Sequence, residues 1–151
     1  MLTATPSKIT IQRISQLANI PTNRALRKWI LAALDTVQKP AELTLRIVNA
    51  AEARELNLSF RGKDYATNVL TFVYGEPHAK TLEGDIVLCA QVVQREAREQ
   101  EKPLSAHYAH LAVHGVLHLA GFDHEVAKEA KMMEAREAEI VMGLGFLHPY
   151  E

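Results

Sequence analysis

His114-Gly115-Val116-Leu117-His118-Leu119-Ala120-Gly121-Phe122-Asp123-His124-Glu125 is the stretch from which the rest of this chain can be read. Two histidines four apart share one face of a helix, about 40° apart around its axis at 3.6 residues per turn. Gly121 is the residue type that ends a helix, because it tolerates positive φ. A turn there brings His124 back towards the pair. Three imidazoles with one open coordination position describe a catalytic zinc site rather than a structural one, which four protein ligands normally close. The expected ligands are His114, His118 and His124, holding one Zn2+ per chain.

Spacing carries more weight here than the number of histidines. Zinc proteases use His-Glu-x-x-His, and one subgroup adds x-x-Gly-x-x-His to bring in a third ligand after a glycine turn. Counted from His118, Gly121 and His124 fall at those same offsets. The residue after the first histidine is Gly115, where those proteases carry their glutamate base. Glycine moves no proton, so the ligand geometry is kept without the peptidase chemistry. A glycine inside a helix also costs roughly 1 kcal/mol relative to alanine. Close approach of backbone or substrate beside the metal is the expected reason for it.

The same segment resembles the signature of the YbeY family of bacterial endoribonucleases, written H-G-x-L-H-L-x-G-x-D-H. Leu56-Asn57, Phe60-Arg61-Gly62-Lys63-Asp64 and Thr67-Asn68-Val69-Leu70-Thr71-Phe72 resemble its second block. Gly84-Asp85-Ile86-Val87-Leu88 resembles its third, and Met133-Glu134 with Glu137 to Ile140 its closing helix. The similarity spans roughly residues 43 to 145. It implies an α/β (α+β) fold, a single compact domain over residues 1–151. A mixed, roughly four-stranded sheet would pack with helices, and the zinc site would lie at a helix end.

The resemblance also implies an activity: zinc-dependent, single-strand-specific endoribonuclease action in 3′ end maturation of small-subunit (16S) rRNA and in ribosome quality control. The implied partners are single-stranded RNA, rRNA, the small ribosomal subunit and its assembly factors, with no membrane and no DNA. In the family the position of Arg61 is an active-site arginine. By resemblance Arg61 stabilises charge on the scissile phosphate. His114 is expected to be the second catalytic residue through the zinc it would hold, and Lys63 to join Arg61 in binding substrate through its charge. Three positions depart: the family usually carries aspartate where Asn68 stands, and serine and proline where Thr71 and Val73 stand. The amide keeps the shape and an acceptor but loses the charge.

Arg61 has its own chemistry apart from any family. It follows a short helical pattern and precedes an extended run, where loops carry function. A guanidinium is always charged and can grip two phosphate oxygens in one plane. The formal net charge of −1 argues against a general nucleic-acid coat. Its distribution is uneven, with residues 1–74 at +5 (ten Lys/Arg, five Asp/Glu) and residues 75–151 at −6 (seven against thirteen). That asymmetry could orient a polyanion, with Arg24, Arg27, Lys28, Arg46, Arg61 and Lys63 as candidate phosphate contacts. Equally, the acidic C-terminal helix could be no more than a solvated surface.

At 151 residues and 48% apolar, the chain can bury a sizeable core as one domain. No apolar run approaches the roughly 20 residues that span a bilayer. Met1 to Thr10 lacks a basic region followed by an apolar stretch, so no secretory signal is expected. The single cysteine, Cys89, is expected to be buried and inert. The expected location is cytoplasmic.

Periodicity predicts an alternation of strands and helices. Lys8 to Ile14 reads as an edge strand. A helix capped by Thr22 runs to about Val37, with Leu26, Trp29, Ile30 and Ala33 on one face. Glu42 to Val48 alternates as a strand, and Ala50 to Leu58 reads as a short helix. Asn68 to Tyr74 and Asp85 to Cys89 are strand-like. Helices follow over Gln91 to Glu101, Ser105 to Leu119 and Glu125 to Met142, the last with Met132, Met133, Ile140 and Val141 for packing.

His107 and His110 precede His114 by seven and four, on the metal face. His107 lies about 10 Å along the axis from His114, too far to ligate the same ion. It could touch substrate or fill the groove. His110 is placed as a hydrogen-bond partner behind the ligands or as a substitute ligand, and Asp123 as an acceptor that fixes a ligand tautomer or as an exposed turn carboxylate. Two other functions fit the ligand spacing. One is a zinc hydrolase of peptide or small-molecule bonds, needing a base such as Asp85 or Glu125. The other is a non-catalytic ribosome-associated module, its zinc closed by a fourth ligand such as His110.

Overall fold

The structure is a computed structural model that describes residues 6–76, 79–122 and 127–150. Strand β1 (Lys8–Arg13) leads to helix α1 (Asn23–Val37), β2 (Ala41–Val48) and α2 (Ala50–Arg61). Then come β3 (Val69–Val73), β4 (Leu82–Cys89), α3 (Ala90–Glu99), α4 (Leu104–Leu119) and α5 (Ala127–Gly143). The four strands form one mixed sheet in the order β1-β2-β4-β3, in which β1, β2 and β4 are parallel and β3 is antiparallel to β4 at one edge. Parallel neighbours need helical crossovers: α1 carries the chain from β1 to β2, and α2 lies on its way from β2 to β4.

Strand alternation sorts the core into two sides. Leu43, Leu45, Ile47, Ile86 and Leu88 join Leu26, Ile30 and Ala33 of α1 and nearly the whole of α4 in the larger cluster. Val48, Leu70, Val87 and Cys89 point the other way, against Ala53 of α2 and Val92 of α3. Helix α4 is buried almost all round, because the sheet, α1, α3 and α5 all pack on it. A helix whose only polar side chains beyond the first turn are histidines and a tyrosine suits that place. Cys89 is buried, and burial pushes its thiol up.

Thr22 caps α1 as predicted, its Oγ1 accepting from the Ala25 N–H at 3.1 Å. Two elements are longer than their sequence patterns. Helix α2 continues past Leu58 to Arg61, where left-handed Gly62 (φ 70°) ends it. Strand β4 begins at Leu82 rather than Asp85. Of the two methionines predicted to pack, Met133 is in the core and Met132 is exposed.

Two glycines set how closely α4 meets the sheet. A Cβ at Gly115 would lie 2.8 Å from Cγ2 of Ile86, so the reason for this helical glycine is packing on β4. A Cβ at Gly84 would lie 2.3 Å from the Phe72 carbonyl oxygen and 2.4 Å from Cδ2 of Leu119. Backbone on one side and the end of α4 on the other leave no room. Gly84→Ala is expected to destabilise the fold by at least about 2 kcal/mol, an overpacking cost. The melting temperature should fall by roughly 4–8 °C for a domain of this size. An unchanged thermal melt would mean that β3 and α4 are not held this tightly.

Candidate metal centre and substrate cleft

The C-terminal end of α4 carries the site. Ala120 caps the helix, the Gly121 N–H donates to the His118 carbonyl at 3.1 Å, and the Phe122 N–H donates to the Leu117 carbonyl at 3.1 Å. With Gly121 at φ 99°, this is a Schellman ending. The chain therefore reverses where the sequence predicted. Asp123, His124 and Glu125 lie outside the described residues. Among the described residues no group of three His, Cys, Asp or Glu side chains has metal-binding geometry.

His114 and His118 stand one turn apart, their ring centroids 5.7 Å apart and their planes at 84°. The Nδ1 of His114 donates to Oε1 of Glu137 on α5. Because a carboxylate only accepts, this bond fixes the tautomer with Nε2 as the basic nitrogen. Glu137 is fully buried and also accepts from Nε2 of His110 at 3.3 Å and from the Tyr150 hydroxyl. Burial opposes ionisation of Glu137, but the hydrogen bonds from His110, His114 and Tyr150 outweigh it and hold the carboxyl at about 2. Burial and the neighbouring carboxylate push the Tyr150 phenol up. This donor set suits a zinc ion: two imidazoles, one locked by a carboxylate through its far nitrogen, as metal-ligating histidines usually are.

The sequence patterns left Glu137 without a role. It sits one turn after core residue Met133 and one turn before Ile140 and Val141, in the buried stripe of α5. A carboxylate at a stripe position was the available signal, since an unpartnered charge is not buried there. His110 and His114 share the Glu137 carboxylate. His107 does not reach the site. It donates from Nε2 to Glu96 of α3 at 2.8 Å, and burial, partly opposed by Glu96, lowers its pKa.

Asn68 belongs to that second network. Its Nδ2 donates to Oε1 of Glu96 at 2.9 Å and its Oδ1 accepts from the Val69 N–H at 2.7 Å. An ionised aspartate at this position would face Glu96 without the donor, so the amide follows from its neighbour. Burial raises the Glu96 pKa, but hydrogen bonds from His107 and Asn68 bring it below the usual range.

A cavity of about 720 Å³ joins these parts. Its lining runs from Phe60 and Arg61 at the end of α2, through Tyr65, Thr67 and Asn68 and all of edge strand β3, to His114 and His118. Arg61 is exposed on its wall, on the last turn of a helix rather than in a loop. Lys63 is exposed on the turn after α2 and is not part of the lining. Of the other candidate cations, Arg46 is paired with Glu52 at 2.6 Å. Asp85, a candidate base, accepts from the Tyr74 hydroxyl at 2.6 Å and lines a neighbouring groove.

A mixed α+β domain with paired helical imidazoles and an arginine lining one cleft has the arrangement of a hydrolase. Comparison with known proteins gives the family. The model for the endoribonuclease YbeY family matches residues 10–145, so the chain belongs to that family. It is 54% identical over 145 residues to the endoribonuclease YbeY of Aromatoleum aromaticum, covering 94% of this chain and 91% of that one. It is 51% identical over 143 residues to that of Thiobacillus denitrificans, covering 95% of each. The solution structure of TM1509 from Thermotoga maritima superposes with a TM-score of 0.60 at 29% identity, covering 87% of each chain.

Proposed function

We propose that this chain is a zinc-dependent endoribonuclease that cleaves single-stranded RNA. Its physiological work is 3′ end maturation of small-subunit rRNA and ribosome quality control, in the cytoplasm, with the small subunit and its assembly factors as partners. Membership of an endoribonuclease family supports the nuclease activity on RNA. The observation that carries the reading is the single cavity lined by Arg61, His114 and His118. A permanently charged phosphate grip and two metal-type nitrogens face one ligand-sized space.

His114 and His118, with His124 beyond the Gly121 turn, would hold the zinc. When bound, the ion supplies Lewis acidity to a phosphoryl oxygen and acidifies water. Arg61 binds the phosphate and offsets the charge that grows on it as the bond breaks. Glu137 holds His114 in one tautomer and orientation, and Asn68 is locked as a polar wall of the cleft. Of the two bases a peptide hydrolase could use, Asp85 accepts from the Tyr74 hydroxyl and lines a neighbouring groove rather than this cavity, and Glu125 lies outside the described residues. His110, one possible fourth ligand of a non-catalytic zinc module, directs its Nε2 to Glu137 and Tyr150.

Arg61→Ala is the direct test, because the side chain is exposed and supports no core. Cleavage of a single-stranded RNA should fall by about 10²–10³-fold, the usual cost of one charge-stabilising group. Zinc content and the melting temperature should stay at their wild-type values. A variant that loses its metal or its fold would make Arg61 structural, and one that cleaves normally would remove it from the mechanism.

A further inference from the structure

Four of the nine aromatic residues of the chain, Phe60, Tyr65, Phe72 and Tyr74, line the one cavity that holds Arg61 and the histidine pair. Three of them are turned to solvent: Phe60 is 66% exposed, Tyr65 54% and Tyr74 53%. A globular chain of this size has core enough to take such rings, so a cluster left outside calls for a ligand. Two are also braced. Phe60 packs edge-on against Phe72 with centroids 5.0 Å apart and planes at 72°. The Tyr74 hydroxyl is tied to Asp85 at 2.6 Å, which keeps that ring from folding inward.

We propose that Phe60, Tyr65 and Tyr74 form a base-stacking surface beside Arg61, so that the cleft selects RNA whose bases are unstacked. The inference rests on the RNA reading above and assigns its recognition residues. Charge complementarity favours a nucleic acid over other occupants. Arg61 is the one permanently charged residue in the described lining, and no carboxylate stands there to repel a polyanion. Arg61 follows Phe60 directly at the end of α2, placing a phosphate grip next to a stacking face. Every base has a π-face, so such a surface is tolerant of sequence and demands single strands, because a paired base is already stacked.

The test separates bases from phosphates. Binding of the intact zinc-loaded protein is measured by fluorescence anisotropy with a 2′-O-methylated oligouridylate, which resists cleavage, and with an abasic strand of the same length and charge. The wild type should prefer the base-bearing strand by about tenfold or more, from stacking on individual rings. Phe60→Ala and Tyr74→Ala should each remove a several-fold part of that preference and leave affinity for the abasic strand unchanged. Phe60→Leu, which keeps an apolar side chain against Phe72, should lose the preference without any change in melting temperature. Equal binding of both strands by the wild type overturns the proposal, as do variants that bind both strands as the wild type does, the result for rings serving a protein partner. RNA cleavage is assayed on the same preparations. Cleavage without base preference defeats the stacking surface alone, base preference without cleavage defeats the nuclease reading alone, and binding of neither strand defeats both.

Discussion

His114→Ala is expected to lower RNA cleavage by at least about a thousandfold, equivalent to some 4 kcal/mol of transition-state stabilisation, and to lower bound zinc in the same preparation. The argument rests on where His114 stands. It lines the cleft with Arg61 and His118, and its ring is held by a buried carboxylate through Nδ1. Removing the imidazole takes away a proposed zinc ligand and the group that the carboxylate holds. It also leaves Glu137 with one donor fewer, at a cost of about 1–3 kcal/mol for a buried acceptor, so the melting temperature of this variant should fall. His118→Ala supplies the control, since it leaves the three donors of Glu137 in place. It should match His114→Ala in lost cleavage and zinc. Chelation of the wild type should give the same inactivity, reversed by added zinc. A His114→Ala protein that keeps one zinc and cleaves RNA would end the metal mechanism.

The parts of this site that could be read from the sequence were those set by short-range geometry. The histidine pair and the turn at Gly121 follow from helical periodicity and from the one residue that tolerates φ 99°. Arg61 was visible as a residue but misplaced in a loop, because the exposed Phe60 and Arg61 add nothing to an apolar period. The helix runs on to Gly62 regardless. Its position matters, for a helix end holds a side chain more firmly than a loop does. Strand β4 was cut short because Glu83 and Gly84 look like turn residues. Gly84 is instead the point at which Phe72 and Leu119 close on each other.

What stayed hidden was decided by partners distant in the chain. His107 shares a helix face with His114, yet Glu96 on α3 claims it. The amide at Asn68 looked like a lost charge until the same Glu96 supplied its acceptor. Sheet order was also beyond the local pattern. The strand placed last at the edge, β3, is neither first nor last in sequence, and its open edge is what creates the cleft. The RNA-facing charge is likewise more local than the +5 of residues 1–74 implied. Arg46 is engaged with Glu52, and Arg61 alone of those cations lines the cavity.

Glu137→Gln should weaken zinc binding by about 10–100-fold, the usual effect of losing the carboxylate behind a ligating histidine. The substitution keeps the size of the side chain but gives it an NH2 where the wild type only accepts. His110, His114 and Tyr150 all present donors to this position, so at least one donor meets another. The expected loss of stability is about 1–3 kcal/mol, and Glu137→Ala, which strands all three donors, should lose more. The acid limb distinguishes the carboxylate from a mere space-filler. In the folded chain its pKa is about 2, against an ordinary value of 4.5. The unfolded chain therefore takes up this proton first as pH falls. The stabilisation is whole above pH 4.5 and is lost as pH drops towards 2, by an amount of order 3 kcal/mol. Urea titrations of the metal-free protein between pH 6 and pH 3 should show the wild type losing its advantage over Glu137→Gln as the pH falls. Parallel curves for the two proteins, or an unchanged zinc affinity in the variant, would mean that Glu137 fills space behind His114 without orienting it.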